Sequence, residues 1–148
     1  MTSTIDLPEM SLPASGWEFR IGRGSRWRPA LEVHTGDGLI DVAVAGSIDN
    51  SLLRGALRGR RGGQDWALAW GHLARGDHNA PVVEFRTGRG VRHASATVVA
   101  DAFWVAELPG VFRSVTVSSE VGRHQARLRR YRPARPGRRR NGDQEFWS

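Results

Sequence analysis

Between Trp17 and Tyr131 the chain repeats with a period of two, in which an apolar side chain is followed by a polar or small one and then by another apolar one. This alternation indicates β-strands, because successive side chains of a strand point to opposite faces of a sheet. The strand-like segments do not alternate with long amphipathic segments, which argues against a parallel βαβ fold. The pattern therefore predicts an all-β chain of roughly eight to ten short strands.

The segment from Asp65 to Leu73 is the best candidate for the core of this fold. One face of the expected strand carries large residues and the other carries small ones, and after Asp65 at its start neither face is charged. A strand that is apolar on both faces lies between two packed layers. We therefore predict a two-layer antiparallel β-sandwich, loosely immunoglobulin-like. The large face is formed by Trp66, Leu68 and Trp70, and the small face by Ala67, Ala69 and Gly71.

The segment from Ser47 to Gly63 is ambiguous. Its apolar residues, among them Leu52 and Ala56, are spaced three and four apart as in a helix, whereas Gly55 and Gly59 oppose a long helix. The sequence predicts at most one short helix here, or an irregular strand in its place. The composition of residues 58–63, Arg-Gly-Arg-Arg-Gly-Gly, predicts a mobile loop after it.

Composition divides the chain into three parts. Residues 1–16 are rich in Pro, Ser and Thr and predict a flexible N-terminal arm. Residues 17–131 carry the alternating pattern and predict the β-sandwich domain. Residues 132–148 predict an Arg-rich tail that ends in an aromatic motif. The N-terminus lacks the basic and apolar regions of a secretory signal, and no apolar run is long enough to span a bilayer, so we expect a cytoplasmic protein without a membrane span.

The net charge of +7 is concentrated at one end of the chain. Residues 1–120 contain 13 arginines and 13 carboxylates, whereas residues 121–148 contain nine arginines and two carboxylates. All 22 basic residues are arginine, a usage typical of a GC-rich bacterial genome. The distribution indicates a neutral domain with a basic extension rather than a uniformly basic domain.

These exposed arginines predict contact with an anion or with a nucleic acid, because guanidinium groups neutralise phosphates. Only Tyr131 lies among them to stack on bases, so the sequence predicts phosphate contact without base readout. A solvated tail that keeps the domain in solution is the alternative. The candidate contact residues are Arg58, Arg60, Arg61, Arg129, Arg130, Arg132, Arg135, Arg138, Arg139 and Arg140.

Two large aromatic residues, Phe146 and Trp147, follow the basic run. Each ring left in water forgoes about 1.5–3 kcal/mol relative to burial, so we predict that the pair docks in a groove. The groove lies either on the chain's own sandwich or on a partner protein. Phe146 and Trp147 are thus the candidate partner-binding residues.

Catalytic patterns are sparse. Cysteine is absent, which excludes thiol nucleophiles and cysteine metal sites, and no Gly-x-Ser-x-Gly motif is present. The histidines share neither a strand nor a helical ligand spacing. His72, Asp77 and His78 are close in sequence, and strand topology could bring a further histidine to them to form the site of a small hydrolase or metal-dependent enzyme. The more common case is that such histidines are scattered over the surface and bind no metal. We predict no catalytic residue, metal or cofactor.

The sequence therefore predicts a non-enzymatic interaction module, an adaptor or assembly subunit, that uses its sheets for one partner and its C-terminal extension for another. A protein partner is expected. A nucleic-acid-associated protein, held by the arginines, is the alternative. Partner identity, oligomeric state and strand order are not readable from the residues.

Overall fold

The computed structural model describes residues 3–5, 9–23, 28–47, 50–74 and 79–132. These residues confirm the predicted all-β class, and none of them is helical. The segment left open between a helix and an irregular strand contains a regular strand, β6. The strands are β1 (Ser3–Ile5), β2 (Glu9–Ser11), β3 (Glu18–Arg23), β4 (Pro29–Thr35), β5 (Gly38–Val44), β6 (Gly55–Arg61), β7 (Gln64–His72), β8 (Val82–Arg86), β9 (Val91–Ala94), β10 (Thr97–Val99), β11 (Phe103–Pro109), β12 (Ser114–Ser119), β13 (Gly122–Arg127) and β14 (Arg129–Arg130).

The strands form three mostly antiparallel sheets packed as a sandwich, one sheet more than the two predicted. The central sheet has the order β1-β10-β11-β7-β6-β14. One outer sheet has the order β13-β12-β8-β9, and the other has the order β2-β3-β4-β5. Each outer sheet shares a hydrophobic core with one face of the central sheet. A third sheet is needed because β7 is apolar on both faces and each face requires a cover.

The large face of β7 packs against the sheet that contains β3. The indole of Trp66 meets that of Trp17 edge-on, with ring centroids 5.4 Å apart, and Trp70 meets Phe19 at 5.7 Å. On the neighbouring strand β6, a Cβ atom added to Gly55 would collide with the ring of Trp70, and one added to Gly59 would collide with the ring of Trp66. Glycines at these positions therefore allow both indoles to lie across β6.

The small face of β7 packs against the sheet that contains β8 and β12, where Phe85 and Val115 are fully buried. Trp104 of β11 lies in this core, and its Nε1 donates to the carbonyl oxygen of Leu52 at 2.7 Å. Gly71 leaves space for that carbonyl, which a Cβ would overlap. The small residues of β7 thus make room for the larger ones of its neighbours.

The predicted mobile loop at residues 58–63 is wrong. Residues 58–61 belong to β6, and a two-residue turn at Gly62 and Gly63 leads directly into β7. Both glycines have positive φ, +57° and +82°, which matches the turns that join twisted antiparallel strands. The arginines around them obscured a hairpin signal in the sequence.

Strand pairing begins inside the segment predicted as a flexible arm. β1 pairs in parallel with β10, and β2 pairs with β3. Leu12 and Ser15 are buried, and the carboxylate of Glu107 accepts hydrogen bonds from the backbone N–H groups of Ala14 (2.9 Å) and Ser15 (2.8 Å). Backbone hydrogen bonds therefore order a stretch that has little apolar surface to bury.

Candidate interaction surface

One strand from each sheet borders a groove of about 730 Å³ at the side of the molecule, which we call the junction groove. The strands are β5, β6 and β13. The groove lies beside the point where the chain leaves β13 and crosses to the central sheet as β14. It is lined by Ile40, Asp41, Leu53, Arg54, Gly55, Ala56, Leu57, Trp70, His124, Gln125, Ala126, Arg127 and Arg129.

An ion pair between Asp41 and Arg54 ties β5 to the start of β6. Arg54 donates from Nε to Oδ2 at 2.7 Å and from Nη2 to Oδ1 at 2.9 Å, and Trp70 Nε1 donates to Oδ2 at 3.0 Å. Burial raises the pKa of Asp41, but the hydrogen bonds from Arg54 and Trp70 outweigh it and hold this pKa below its ordinary value. The carboxylate is therefore ionised and fully engaged at neutral pH.

This pair also closes the outer edge of β5. The carbonyl oxygen of Val42 accepts a hydrogen bond from Arg54 Nη2 at 3.0 Å, and the N–H of Val42 donates to the Asp41 carboxylate. Both backbone groups of Val42 are thus occupied by side chains. An incoming strand could pair there only by displacing Arg54. The side chains of the strand are nevertheless exposed, with Leu39, Ile40 and Val42 at 54%, 42% and 40% of their maximal areas.

The facing edge of β6 is only partly covered beside Ala56. β14 pairs in parallel with β6 only at Leu57 and Arg58, and the N–H of Tyr131 donates to the carbonyl oxygen of Arg58 at 2.8 Å. Backbone groups of residues two apart on a strand point to the same edge, so the N–H and C=O of Ala56 point to the edge that β14 occupies next to Arg58. The parallel pairing of Arg129 with Leu57 places the N–H of Arg129 on the carbonyl oxygen of Ala56. Among the described residues, only the N–H of Ala56 is left without a backbone partner on that side.

The junction groove combines an apolar base with a cationic wall. Leu53 and Ala56 are partly buried and pack on the core, which gives the base. His124, Arg127 and Arg129 are exposed along the opposite wall. The one carboxylate in the lining is Asp41, which is paired with Arg54. The groove is therefore suited to a ligand that carries both apolar and negatively charged groups.

A second, smaller depression of about 350 Å³ lies on the other side of Arg127, and we call it the arginine cleft. Arg58, Arg113 and Arg127 line it together with Val111, Phe112 and Leu128. Its lining contains no acidic residue. Three cations, from β6, from the segment just before β12 and from β13, thus share one concave surface.

The single aromatic residue of the basic run is held by the fold. The ring of Tyr131 packs edge-on against Trp17, with centroids 4.9 Å apart, and its hydroxyl donates to Asp37 Oδ2 at 3.3 Å. The ring is therefore engaged inside the molecule instead of being presented for stacking on a base.

The predicted contact arginines are distributed over both faces of the central sheet. Arg58 lines the arginine cleft, whereas Arg61 reaches across the opposite face to the carbonyl oxygen of Pro13 at 3.4 Å. Arg60 bonds the carbonyl oxygen of Gly63 at 3.3 Å. Arg129, Arg130 and Arg132 are exposed at and after β14. The remaining predicted residues, Arg135, Arg138, Arg139, Arg140, Phe146 and Trp147, lie outside the described residues.

Sequence reasoning did not select Arg113 or Asp41. Arg113 could have been found, because it falls on the otherwise apolar face of Val111, Val115 and Val117. A charge on such a face indicates either a strand end or a binding role. Asp41 resembled an ordinary exposed strand residue, because its partner Arg54 is 13 positions away and joins it only through the folding of β5 beside β6.

His72, the described member of the candidate enzymatic cluster, is 2% exposed, and its ring lies 5.4 Å from that of Phe103. Asp77 and His78 lie outside the described residues. Among the residues that the structure describes, no three His, Asp or Glu side chains are grouped so as to hold a metal ion. The same residues include no helix that could cross a membrane.

Comparison with known proteins gave no match to a family model, to a curated protein or to a solved structure.

Proposed function

We propose that this chain is a non-enzymatic interaction module, an adaptor or assembly subunit, that binds an extended acidic segment of a partner protein in the junction groove. The observation that carries the proposal is the unpaired N–H of Ala56, at the point where the cover of β14 ends, set between an apolar base and a wall that carries Arg127 and Arg129. An uncovered edge in a concave, charged setting is the usual requirement for strand addition.

The proposed segment accepts a hydrogen bond from the N–H of Ala56, in line with β14, which pairs with the same edge at Leu57 and Arg58. Main-chain hydrogen bonds supply affinity in this mode, and alternate side chains supply specificity. One face of the bound strand would contact Leu53 and Ile40. The other face would carry the carboxylates that meet the cationic wall.

A direct test uses a blocked, fluorescein-labelled decapeptide of alternating glutamate and valine, with binding followed by fluorescence anisotropy. We expect saturable binding that Arg129→Glu weakens by about tenfold, which corresponds to about 1.4 kcal/mol. Arg92→Glu is the matched control, since Arg92 is exposed on β9 at the opposite edge of its sheet from β13. It should change the affinity less than twofold.

A peptide of alternating lysine and valine should not bind. The proposal is contradicted if the lysine peptide binds as tightly as the glutamate peptide, or if Arg92→Glu weakens binding as much as Arg129→Glu. Docking of Phe146 and Trp147 remains a separate prediction, tested by comparing partner capture by the full chain and by a chain that ends at Arg132.

A further inference from the structure

The arginine cleft concentrates positive charge in a way that the fold alone does not require. Leu128 is buried beneath it, and the N–H of Leu128 donates to the carbonyl oxygen of Arg113 at 2.8 Å, which fixes the end of β13 against the start of β12. Arg58 approaches from the central sheet and is half-buried. The cleft therefore brings together guanidinium groups from two sheets.

None of Arg58, Arg113 and Arg127 forms an ion pair with a described carboxylate. Like charges that share a partly desolvated concave surface repel one another, and the field between them attracts an anion. Other arginines of the described chain behave differently: Arg20 pairs with Glu18 at 2.7 Å, and Arg54 pairs with Asp41. The described residues therefore provide no negative charge to balance the cleft, and we expect a bound anion to provide it.

The chemistry of the cleft matches phosphate. The planar guanidinium fork donates two parallel hydrogen bonds to phosphate oxygens, and arginine is the usual residue for this contact. The cationic surface continues from the cleft along β13 and β14, through Arg129 and Arg130. A row of charges suits a ligand with repeated phosphates better than it suits a single phosphate ion.

We infer that the arginine cleft binds the phosphate backbone of a nucleic acid, with Arg58 and Arg113 as phosphate contacts. The binding does not read the base sequence, because Tyr131 is packed against Trp17 and is not presented to bases. Arg127 borders both sites and Arg129 serves both proposals, but Arg58 and Arg113, on which this inference is tested, are absent from the proposed peptide site.

The test measures the affinity of the full chain for a labelled 20-nucleotide oligothymidylate between about 50 and 200 mM salt. The logarithm of the binding constant should fall linearly with the logarithm of salt concentration, and each phosphate contact contributes about 0.7 to the slope for a single strand. Arg58→Gln and Arg113→Gln should each lower the slope by about that amount and weaken binding several-fold at the lowest salt.

Arg92→Gln, which removes the same charge from β9, is the control and should leave the slope unchanged. Urea unfolding verifies that each variant is folded. If Arg58→Gln is unstable, Arg113→Gln tests the inference on its own, because Arg113 is exposed. Three results would overturn the inference: an equal loss in the Arg92 control, displacement of the oligonucleotide by low-millimolar inorganic phosphate, and binding that is insensitive to salt. If the full chain binds the oligonucleotide as expected but does not bind the glutamate–valine peptide, the proposed function is contradicted and this inference is not.

Discussion

The edges of β5 and β6 face each other across the junction groove. They differ in which part is exposed, the side chains or the backbone groups. β5 exposes Leu39, Ile40 and Val42, yet the backbone of Val42 is bonded on both sides by Asp41 and Arg54. β6 exposes no large apolar side chain, yet the N–H of Ala56 has no backbone partner among the described residues. The comparison teaches that an available backbone, more than an exposed apolar side chain, identifies the edge that can accept a strand.

The closed edge also has a protective role. An exposed apolar edge strand pairs readily with other chains, and natural sheets block such edges with charged groups. The Asp41–Arg54 pair blocks β5 at Val42 and at the same time contributes no free carboxylate to the groove. The Asp41–Arg54 ion pair thus prevents strand pairing at β5 and leaves β6 as the edge that can accept a strand.

The largest expected effect is on stability and comes from Gly55 of β6. Gly55→Val would drive a side chain into the indole of Trp70, and displacing that ring would also break its hydrogen bond to Asp41. We expect the free energy of unfolding to fall by about 3 kcal/mol, the upper part of the range for overpacking. Urea unfolding measures this change. As a comparison, Val42→Ala on β5, where the side chain is exposed, should lower the free energy of unfolding by less than about 1 kcal/mol.

Opening the closed edge is the next largest effect. Asp41→Asn removes the charge that engages Arg54, Trp70 and Val42, and should lower the free energy of unfolding by about 2 kcal/mol because the donors lose a charged acceptor and one of its two oxygens becomes an NH₂ donor. The freed apolar edge of β5 should also self-associate. Light scattering should show concentration-dependent growth for the variant at neutral pH. A variant that stays monomeric at all concentrations would show that the pair does not protect β5.

The same pair predicts a pH dependence. The folded pKa of Asp41 lies below its unfolded value of roughly 3.9, so its stabilising contribution is present above that pH and is lost as the pH falls through the folded pKa. The difference in unfolding free energy between the wild type and Asp41→Asn should therefore be constant near pH 7 and shrink below about pH 4. Urea titrations at several pH values measure it. A difference that grows on acidification would contradict the assigned direction.

The smallest expected effect on stability concerns the pairing of β14 with β6. Tyr131→Phe removes the hydroxyl that donates to Asp37 but keeps the ring on Trp17. We expect a loss of about 0.5–1 kcal/mol, since the bond is partly exposed. Hydrogen exchange at the Tyr131 amide, which bonds Arg58, should accelerate severalfold, whereas exchange in β7 should be unchanged.

The sequence was sufficient to predict the all-β class and the central place of β7, because period-two alternation and a two-faced apolar strand are local signals. It was insufficient for the third sheet, which depends on what covers each face of β7. The hairpin at Gly62 and Gly63 was misread, since four arginines nearby suggested a solvated loop although two consecutive glycines are a turn signal.

The candidate surface was only partly predictable. Arg58, Arg129 and Arg130 were selected from the charge run alone. The groove itself was not predicted, since it arises where strands from three sheets meet. Neither the pairing of Asp41 with Arg54 nor the unpaired N–H of Ala56 is encoded by neighbours in sequence. Strand order is a long-range property and has no local residue pattern.

The most direct test of the contrast between the two edges is the Ala56→Pro variant. Proline removes the N–H that points to the open edge, and an edge position tolerates this loss, so the free energy of unfolding should change by less than about 1 kcal/mol. Affinity for the glutamate–valine peptide, measured by anisotropy, should fall by at least about tenfold because strand addition loses a main-chain hydrogen bond. A folded Ala56→Pro protein that binds the peptide with wild-type affinity would contradict strand addition at β6.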